Sequence, residues 1–331
     1  MNRRALLASA AAMTVAACSK GAAPKSGEAP KVLNFSILAT ETSSSLEIIW
    51  KPILADMEKA LGIPVEAFYG TNYTALIEAM RFKQTDVGWF SNLSGLEAVR
   101  RANGEVFART FDPTGVDGYT SVVIVPAKST TTLEDLVRCD KTLNFGMGDA
   151  KSTSGTLSPK TYLFSPRGID PAKCFKTVRT ANHQANLFAV ANGVLDAATN
   201  NSTSLRLEQE RHPDIFKSVR VVWTSPPLPE DPMVWRKDLD PALKEKVRAF
   251  FLSYAQGQDA EGQRQRDLLA KISIGGFRAA DDNHLISVRE MEANEAFEEA
   301  KRGGDQAKIA ATEKALEDIR AQRAALQAKA G

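Results

Sequence analysis

From Lys31 onward the chain alternates short apolar runs with longer segments carrying apolar residues at helical spacing, and this alternation restricts the fold more than composition does. Residues 32–38 read as a strand, 44–61 as a helix stopped by Gly62, 65–69 as a strand, 73–82 as a helix and 86–90 as a strand. A β-α-β-α-β order predicts an α/β fold, with a mostly parallel sheet and helices on both faces. Such sheets take ligands at the carboxyl ends of their strands. Thr40-Glu41-Thr42, residues 69–73 and Phe90-Ser91-Asn92 fall there.

A second unit follows the same pattern. Residues 119–125 form a strongly apolar strand and 132–137 a short helix; strands over 142–145 and 175–178, a helix over 184–192 and a strand over 196–199 come next. The last strands are 219–223 and 233–235, with Pro226, Pro227, Pro229 and Pro232 between them. A proline-stiffened crossing of this kind suits a hinge between two lobes. The expected division is a first lobe from residues 31–118 and 228–290, a second from 119–227, and a charged helical tail over 291–331 interrupted at Gly303-Gly304. The tail reads either as a solvated helix or as one that packs on a second copy to make a homodimer.

Within the second unit, the stretch Phe145-Gly146-Met147-Gly148-Asp149-Ala150-Lys151-Ser152-Thr153-Ser154-Gly155 joins a strand to a helix start through glycines and three hydroxyls. The first turn of a helix offers unpaired N–H groups and the positive end of its dipole, so Ser152, Thr153 and Ser154 read as a cradle for a tetrahedral oxyanion. The alternative is that one of them is only an N-cap. The order of a nucleotide P-loop is missing, as is that of a Gly-x-Ser-x-Gly elbow.

The first seventeen residues have Arg3 and Arg4, an uncharged run over 5–17 too short for a permanent membrane helix, and then Val15-Ala16-Ala17-Cys18. This has the form of a signal peptide with a lipobox, which would make Cys18 the lipidated first residue of the mature chain. Residues 18–30, rich in Gly, Ala, Pro, Ser and Lys, read as a flexible tether. The expectation is a soluble domain in the periplasm, held at a bacterial membrane by its acyl chains. Cleavage removes two basic residues and brings the formal charge from +2 to 0, which leaves no electrostatic case for nucleic acid as a partner.

Cys139 and Cys174 each stand just before a strand-like run. If those strands are parallel neighbours, the two meet at one end of the sheet, and a disulfide is expected in an oxidising compartment. Two free thiols are the alternative. With three His in the chain and none beside either Cys, no metal site is read, and nothing calls for a cofactor.

The succession Leu33-Asn34-Phe35, Met80-Arg81-Phe82, Asp86-Val87-Gly88-Trp89, Asn92-Leu93-Ser94, Gly148-Asp149, Ser152-Thr153-Ser154-Gly155, Ala189-Val190-Ala191-Asn192-Gly193, Ala198-Thr199-Asn200-Asn201 and Asp231-Pro232-Met233-Val234-Trp235 resembles the periplasmic phosphonate-binding proteins. These are the receptors of ABC-type phosphonate importers, and the likeness runs over residues 32–276. It implies a two-lobed type II periplasmic binding fold, a small-molecule phosphonate as ligand and an ABC permease subunit as partner. It puts the phosphonate oxygens on Ser152, Thr153 and Ser154 with their backbone N–H groups, and on the hydroxyls of Tyr73 and Tyr119. His183 matches a pocket position. Hydrogen bonds to a charged group contribute about 1.5–3 kcal/mol each, so about four or five reach the ~8 kcal/mol of micromolar binding without any Lys or Arg. Ordinary structural roles stay open for each: half-buried aromatics for the two tyrosines, a helix cap for His183.

Members that bind aminoalkylphosphonates present acids to the ligand's ammonium. Asp231 keeps one such position, but Thr203 stands where another acid is expected, Gln184 where close relatives have Glu, and Phe90 where they often have Tyr. The resemblance therefore implies weakened selectivity for 2-aminoethylphosphonate. The same residues admit two other readings. One is a receptor for phosphite, phosphate or sulfate on the same fold. The other is an enzyme, with Ser152 as nucleophile, His183 as base and Asp149 or Asp231 as orienter; it lacks an oxyanion hole distinct from the cradle, and no enzymatic activity is expected.

Overall fold

The computed structural model describes residues 30–330; the leader, Cys18 and the tether up to residue 29 lie outside them. Eleven strands are formed among the described residues: β1 (Leu33–Ile37), β2 (Val65–Tyr69), β3 (Val87–Trp89), β4 (Gly104–Phe111), β5 (Ser121–Pro126), β6 (Asn144–Met147), β7 (Thr177–Thr180), β8 (Ala197–Asn201), β9 (Val219–Thr224), β10 (Pro232–Arg236) and β11 (Gly276–Ala279). They make a six-stranded sheet ordered β11-β4-β10-β3-β1-β2 and a five-stranded sheet ordered β7-β6-β8-β5-β9. In the first sheet β1 to β4 run one way and β10 and β11 the other; in the second only β5 is reversed. The strand by which the chain enters or re-enters a unit, β5 or β10, thus opposes its neighbours. The result is a two-lobed type II periplasmic binding fold, with helices flanking both sheets and a helical tail.

Local chemistry sets these elements. The helix Ser43–Leu61 begins where the Thr42 hydroxyl accepts the Ser45 N–H, and it ends at Gly62 in the left-handed region, φ 72°. Its stripe of Leu46, Ile49, Trp50, Ile53, Leu54, Met57 and Leu61 is buried. Trp50 meets Phe35 of β1 at 5.2 Å between ring centroids, and Phe107 of β4 stacks on Trp235 of β10 at 4.2 Å. These rings belong to the large core of the first sheet. The second sheet is covered on both faces: Val123 and Val125 of β5 join one apolar cluster, and Val122 and Ile124 join the other.

Two segments connect the units, one between β4 and β5 and one between β9 and β10. They are paired to each other where Tyr119 and Leu228 form an antiparallel bridge. Cys139 and Cys174, just ahead of β6 and its parallel neighbour β7, are disulfide-bonded.

The tail is a helical hairpin, Ile286–Gly303 and Gln306–Ala330, turned by Gly304 at φ 72°. Its first helix starts five residues ahead of the expected boundary at 291, buries Val288 and Met291 in the core of the first sheet, and takes a 2.8 Å hydrogen bond at Glu295 Oε2 from Ser165 of the second unit. The less exposed positions of the second helix, Ile309, Thr312, Leu316, Ile319, Arg323 and Leu326, recur every three or four residues. Arg320 and Arg323 hold Glu290 of the first, so the two helices are joined by charge as well. No helix among the described residues is long and apolar enough to cross a membrane.

Candidate functional site

The turn after β6 is built around two glycines. A Cβ on Gly148 would lie 2.4 Å from the Gly155 Cα, and the Gly148 N–H donates to the Gly155 carbonyl at 2.8 Å, so the loop crosses the helix start too closely for a side chain. The Ser152 Oγ accepts the Gly155 N–H at 2.9 Å and caps the segment that follows. That segment opens as π-helical turns, Thr153–Leu157 and Lys160–Phe164. Among the described residues the Thr153 and Ser154 N–H groups donate to no acceptor, as expected for a first turn.

The three hydroxyls of the cradle diverge. Ser152 and Ser154 line a cavity of about 60 Å³ between the two units. Thr153 is not among the lining residues: its Oγ1 accepts the Leu93 N–H of the other unit at 2.9 Å. The Ser154 Oγ accepts from Asn201 Nδ2 at 3.2 Å and lies 3.4 Å from His183 Nε2.

Tyr73, Tyr119, His183, Thr203 and Asp231 line the same cavity. Tyr73 opens the helix Tyr73–Arg81 and Tyr119 is the hinge residue. Burial first, then the Asp231 carboxylate, pushes both phenols well above their usual range, while the hydroxyls of Ser152 and Ser154 pull back on Tyr73 and Tyr119 respectively. Both are neutral O–H donors. His183 begins the helix His183–Ala191, whose N-cap is Asn182, so His183 is not the cap. Burial brings its pKa down to about 4. Among the described residues its Nδ1 has no partner, and its other nitrogen faces Ser154 rather than Ser152. The Ser–His–carboxylate chain weighed from the sequence is not assembled.

The acidic side of the cavity differs from the sequence reading. Asp231 is present, its carboxyl pushed well up by burial and by Glu230, with the Trp89 indole N–H acting the other way. Its Oδ1 is buried without a hydrogen-bond partner among the described residues. Glu230, which the sequence did not single out, also lines the cavity; burial raises it to about 7, against a 3.2 Å bond from Thr110 Oγ1. Glu41 lines it too, held by Arg211. Phe90 is fully buried in the core, and Gln184 donates to Glu208 at 3.2 Å; neither lines the cavity. Among the described residues no Lys or Arg lines it. Among the described residues no group of three or more His, Cys, Asp or Glu could hold a metal ion.

The model of the family described as "ABC transporter, phosphonate, periplasmic substrate-binding protein" matches residues 35–285. The phosphonates-binding periplasmic protein of Escherichia coli K12 is 42% identical over 265 residues, 80% of this chain and 77% of that one. Among solved structures, a binding protein component of an ABC phosphonate transporter from Pseudomonas aeruginosa is 36% identical with a TM-score of 0.85, covering 89% of this chain and 99% of its own. PhnD1 from Prochlorococcus marinus, in complex with methylphosphonate, is 22% identical with a TM-score of 0.69, covers 79% of this chain and 97% of its own, and shares the fold. The chain belongs to the phosphonate-binding periplasmic substrate-binding proteins of ABC transporters.

Proposed function

We propose that this chain captures a phosphonate between two closing units, residues 31–118 with 228–290 on one side and 119–227 on the other, and presents it to the permease of an ABC importer. One observation carries the reading: Ser152, Ser154, Tyr73 and Tyr119 line one cavity together with the residue whose N–H is open, Ser154, and among the described residues no Lys or Arg lines it. Neutral donors fixed in place suit a tetrahedral oxyanion. His183 adds a neutral imidazole, and Thr203 a hydroxyl on the far helix. The membership of the two sheets supports the division into units.

The carbon-bearing end of the ligand meets an acidic wall. Thr203 replaces one expected acid, but Glu230 joins Asp231, so the cavity keeps two carboxyls for an ammonium tail. Titration calorimetry with 2-aminoethylphosphonate, methylphosphonate, phosphite and phosphate tests this. The expected order places 2-aminoethylphosphonate first, by about a hundredfold over methylphosphonate, or roughly 2.7 kcal/mol. A level order returns the pocket to uncharged tails, and tightest binding of phosphite or phosphate overturns the phosphonate reading.

Anchoring by a lipid on Cys18 belongs to the same proposal, and mass spectrometry of the membrane-extracted chain tests it. A homodimer through the tail would use the charged outer face of the helix Gln306–Ala330, since its apolar stripe is the less exposed side; sedimentation of the chain with and without residues 304–331 decides it.

A further inference from the structure

The helix Ser202–Arg211 does two things at once. Its first turn supplies Thr203 and Ser204 to the cavity, and its two arginines reach over to the other unit. Arg206 donates through Nη2 to Asp112 Oδ2 at 2.5 Å and through Nε to Ser273 Oγ at 2.7 Å. Arg211 Nη1 lies 2.9 and 2.8 Å from the two carboxylate oxygens of Glu41, and its Nη2 donates to the Lys271 carbonyl.

The receiving groups are held in place. Asp112 is 4% exposed and also accepts the Thr114 N–H at 2.7 Å, and Glu41 is 7% exposed. Asp112 directly follows β4, Glu41 lies in the loop after β1, and residues 271–273 precede β11, so all the acceptors belong to the unit of the first sheet. Desolvation offsets much of the attraction in a partly buried ion pair, but separating the two groups leaves a desolvated charge without its partner. Glu41 and Ser273 line the cavity, whereas neither arginine does.

We propose that Arg206 and Arg211 are closure latches, positioning residues that hold the two units shut over the ligand without touching it. Thr203 and Ser204, on the first turn of the same helix, pass the presence of a ligand on to them. The proposal rests on the reading that a phosphonate is captured between the units. A contact made only in the closed form slows escape and leaves encounter alone, so its loss appears in the dissociation rate and is the same for every ligand tail.

The test uses Arg206→Met, Arg211→Met and the double variant in the full-length chain, with methylphosphonate and 2-aminoethylphosphonate as ligands. Stopped-flow fluorescence reads the rates, since Trp89 lines the cavity. Each single variant is expected to release both ligands about three- to tenfold faster by the same factor, and the double variant about thirtyfold faster or more, with association within about threefold of the parent. The thermal midpoint of the ligand-free chain, read alongside, is expected to stay within about 2 °C. An unchanged release rate in the double variant, a loss confined to one ligand, or a loss carried by association overturns the proposal. If the parent chain binds neither ligand, the phosphonate reading fails on its own. The latch is then judged by the same release rates with phosphite and phosphate as ligands: faster release from the double variant supports it, and an equal rate overturns it.

Discussion

The Tyr73 N–H donates to Asp149 Oδ2 at 3.1 Å, although the two residues stand 76 positions apart and in different units. The turn that forms the anion cradle therefore also fixes the start of the helix that carries a pocket tyrosine. Oδ1 of the same carboxylate takes the Lys151 N–H at 2.8 Å. A carboxylate at a helix N-terminus is well placed electrostatically, and a hydrogen bond to a charged acceptor contributes about 1.5–3 kcal/mol. Asp149→Ala is expected to raise the Kd for a phosphonate about ten- to hundredfold by calorimetry. An unchanged Kd would show that this bond does nothing for closure.

Ser152 and Ser154 separate two roles that the sequence left together. Ser152→Ala removes the cap on Gly155 as well as a pocket hydroxyl, so it should lower the stability of the ligand-free chain by about 1 kcal/mol and weaken binding too. Ser154→Ala leaves the cap in place. It is expected to weaken binding by about tenfold or more with little change in thermal midpoint. Equal losses of stability in the two variants would contradict this assignment.

His183 and Glu230 give stability opposite slopes against pH. The His183 pKa falls from 6.5 to about 4 through burial, so the unfolded chain binds its proton first and stability drops as pH falls across that window. Glu230 rises from 4.5 to about 7, chiefly through burial; its contribution is present below 4.5 and is lost as pH rises through 7. Glu230→Gln should match the parent near pH 5 and exceed its stability at pH 8 by about 1–3 kcal/mol. Urea unfolding at the two values checks it, and a gap that fails to widen with pH refutes it.

The disulfide closes a span of 35 residues, for which the chain-entropy model gives about 4 kcal/mol. Replacing both Cys139 and Cys174 with Ser should lower denaturant stability by about that much. Phosphonate affinity should stay within about threefold, since the bond lies at the starts of β6 and β7 and the cradle follows the end of β6.

Long apolar periodicity made the helix Ser43–Leu61 and strands β1, β2 and β5 legible, and the glycines around Asp149 marked the cradle. Strand β4 escaped because Glu105 and Arg109 interrupt its apolar run, and β11 is only four residues long. The reading of Thr153 stopped at its type: a hydroxyl in the right turn cannot reveal which unit it faces. Glu230 was hidden for a different reason. Neighbours in a strand point to opposite faces, but Glu230 and Asp231 precede the first residue of β10, Pro232, where that alternation does not hold, and both reach the cavity. Gln184 and Phe90 stand at pocket positions in the sequence, but packing puts both elsewhere.

The cavity grips its anion with hydroxyls and backbone N–H groups, and no ammonium or guanidinium is among its lining residues. Such donors act through short-range dipoles, which a surrounding salt cloud does not reach once the units have closed. Affinity for a phosphonate should therefore vary little between dilute and brackish surroundings, and capture would depend on the supply of ligand rather than on long-range attraction.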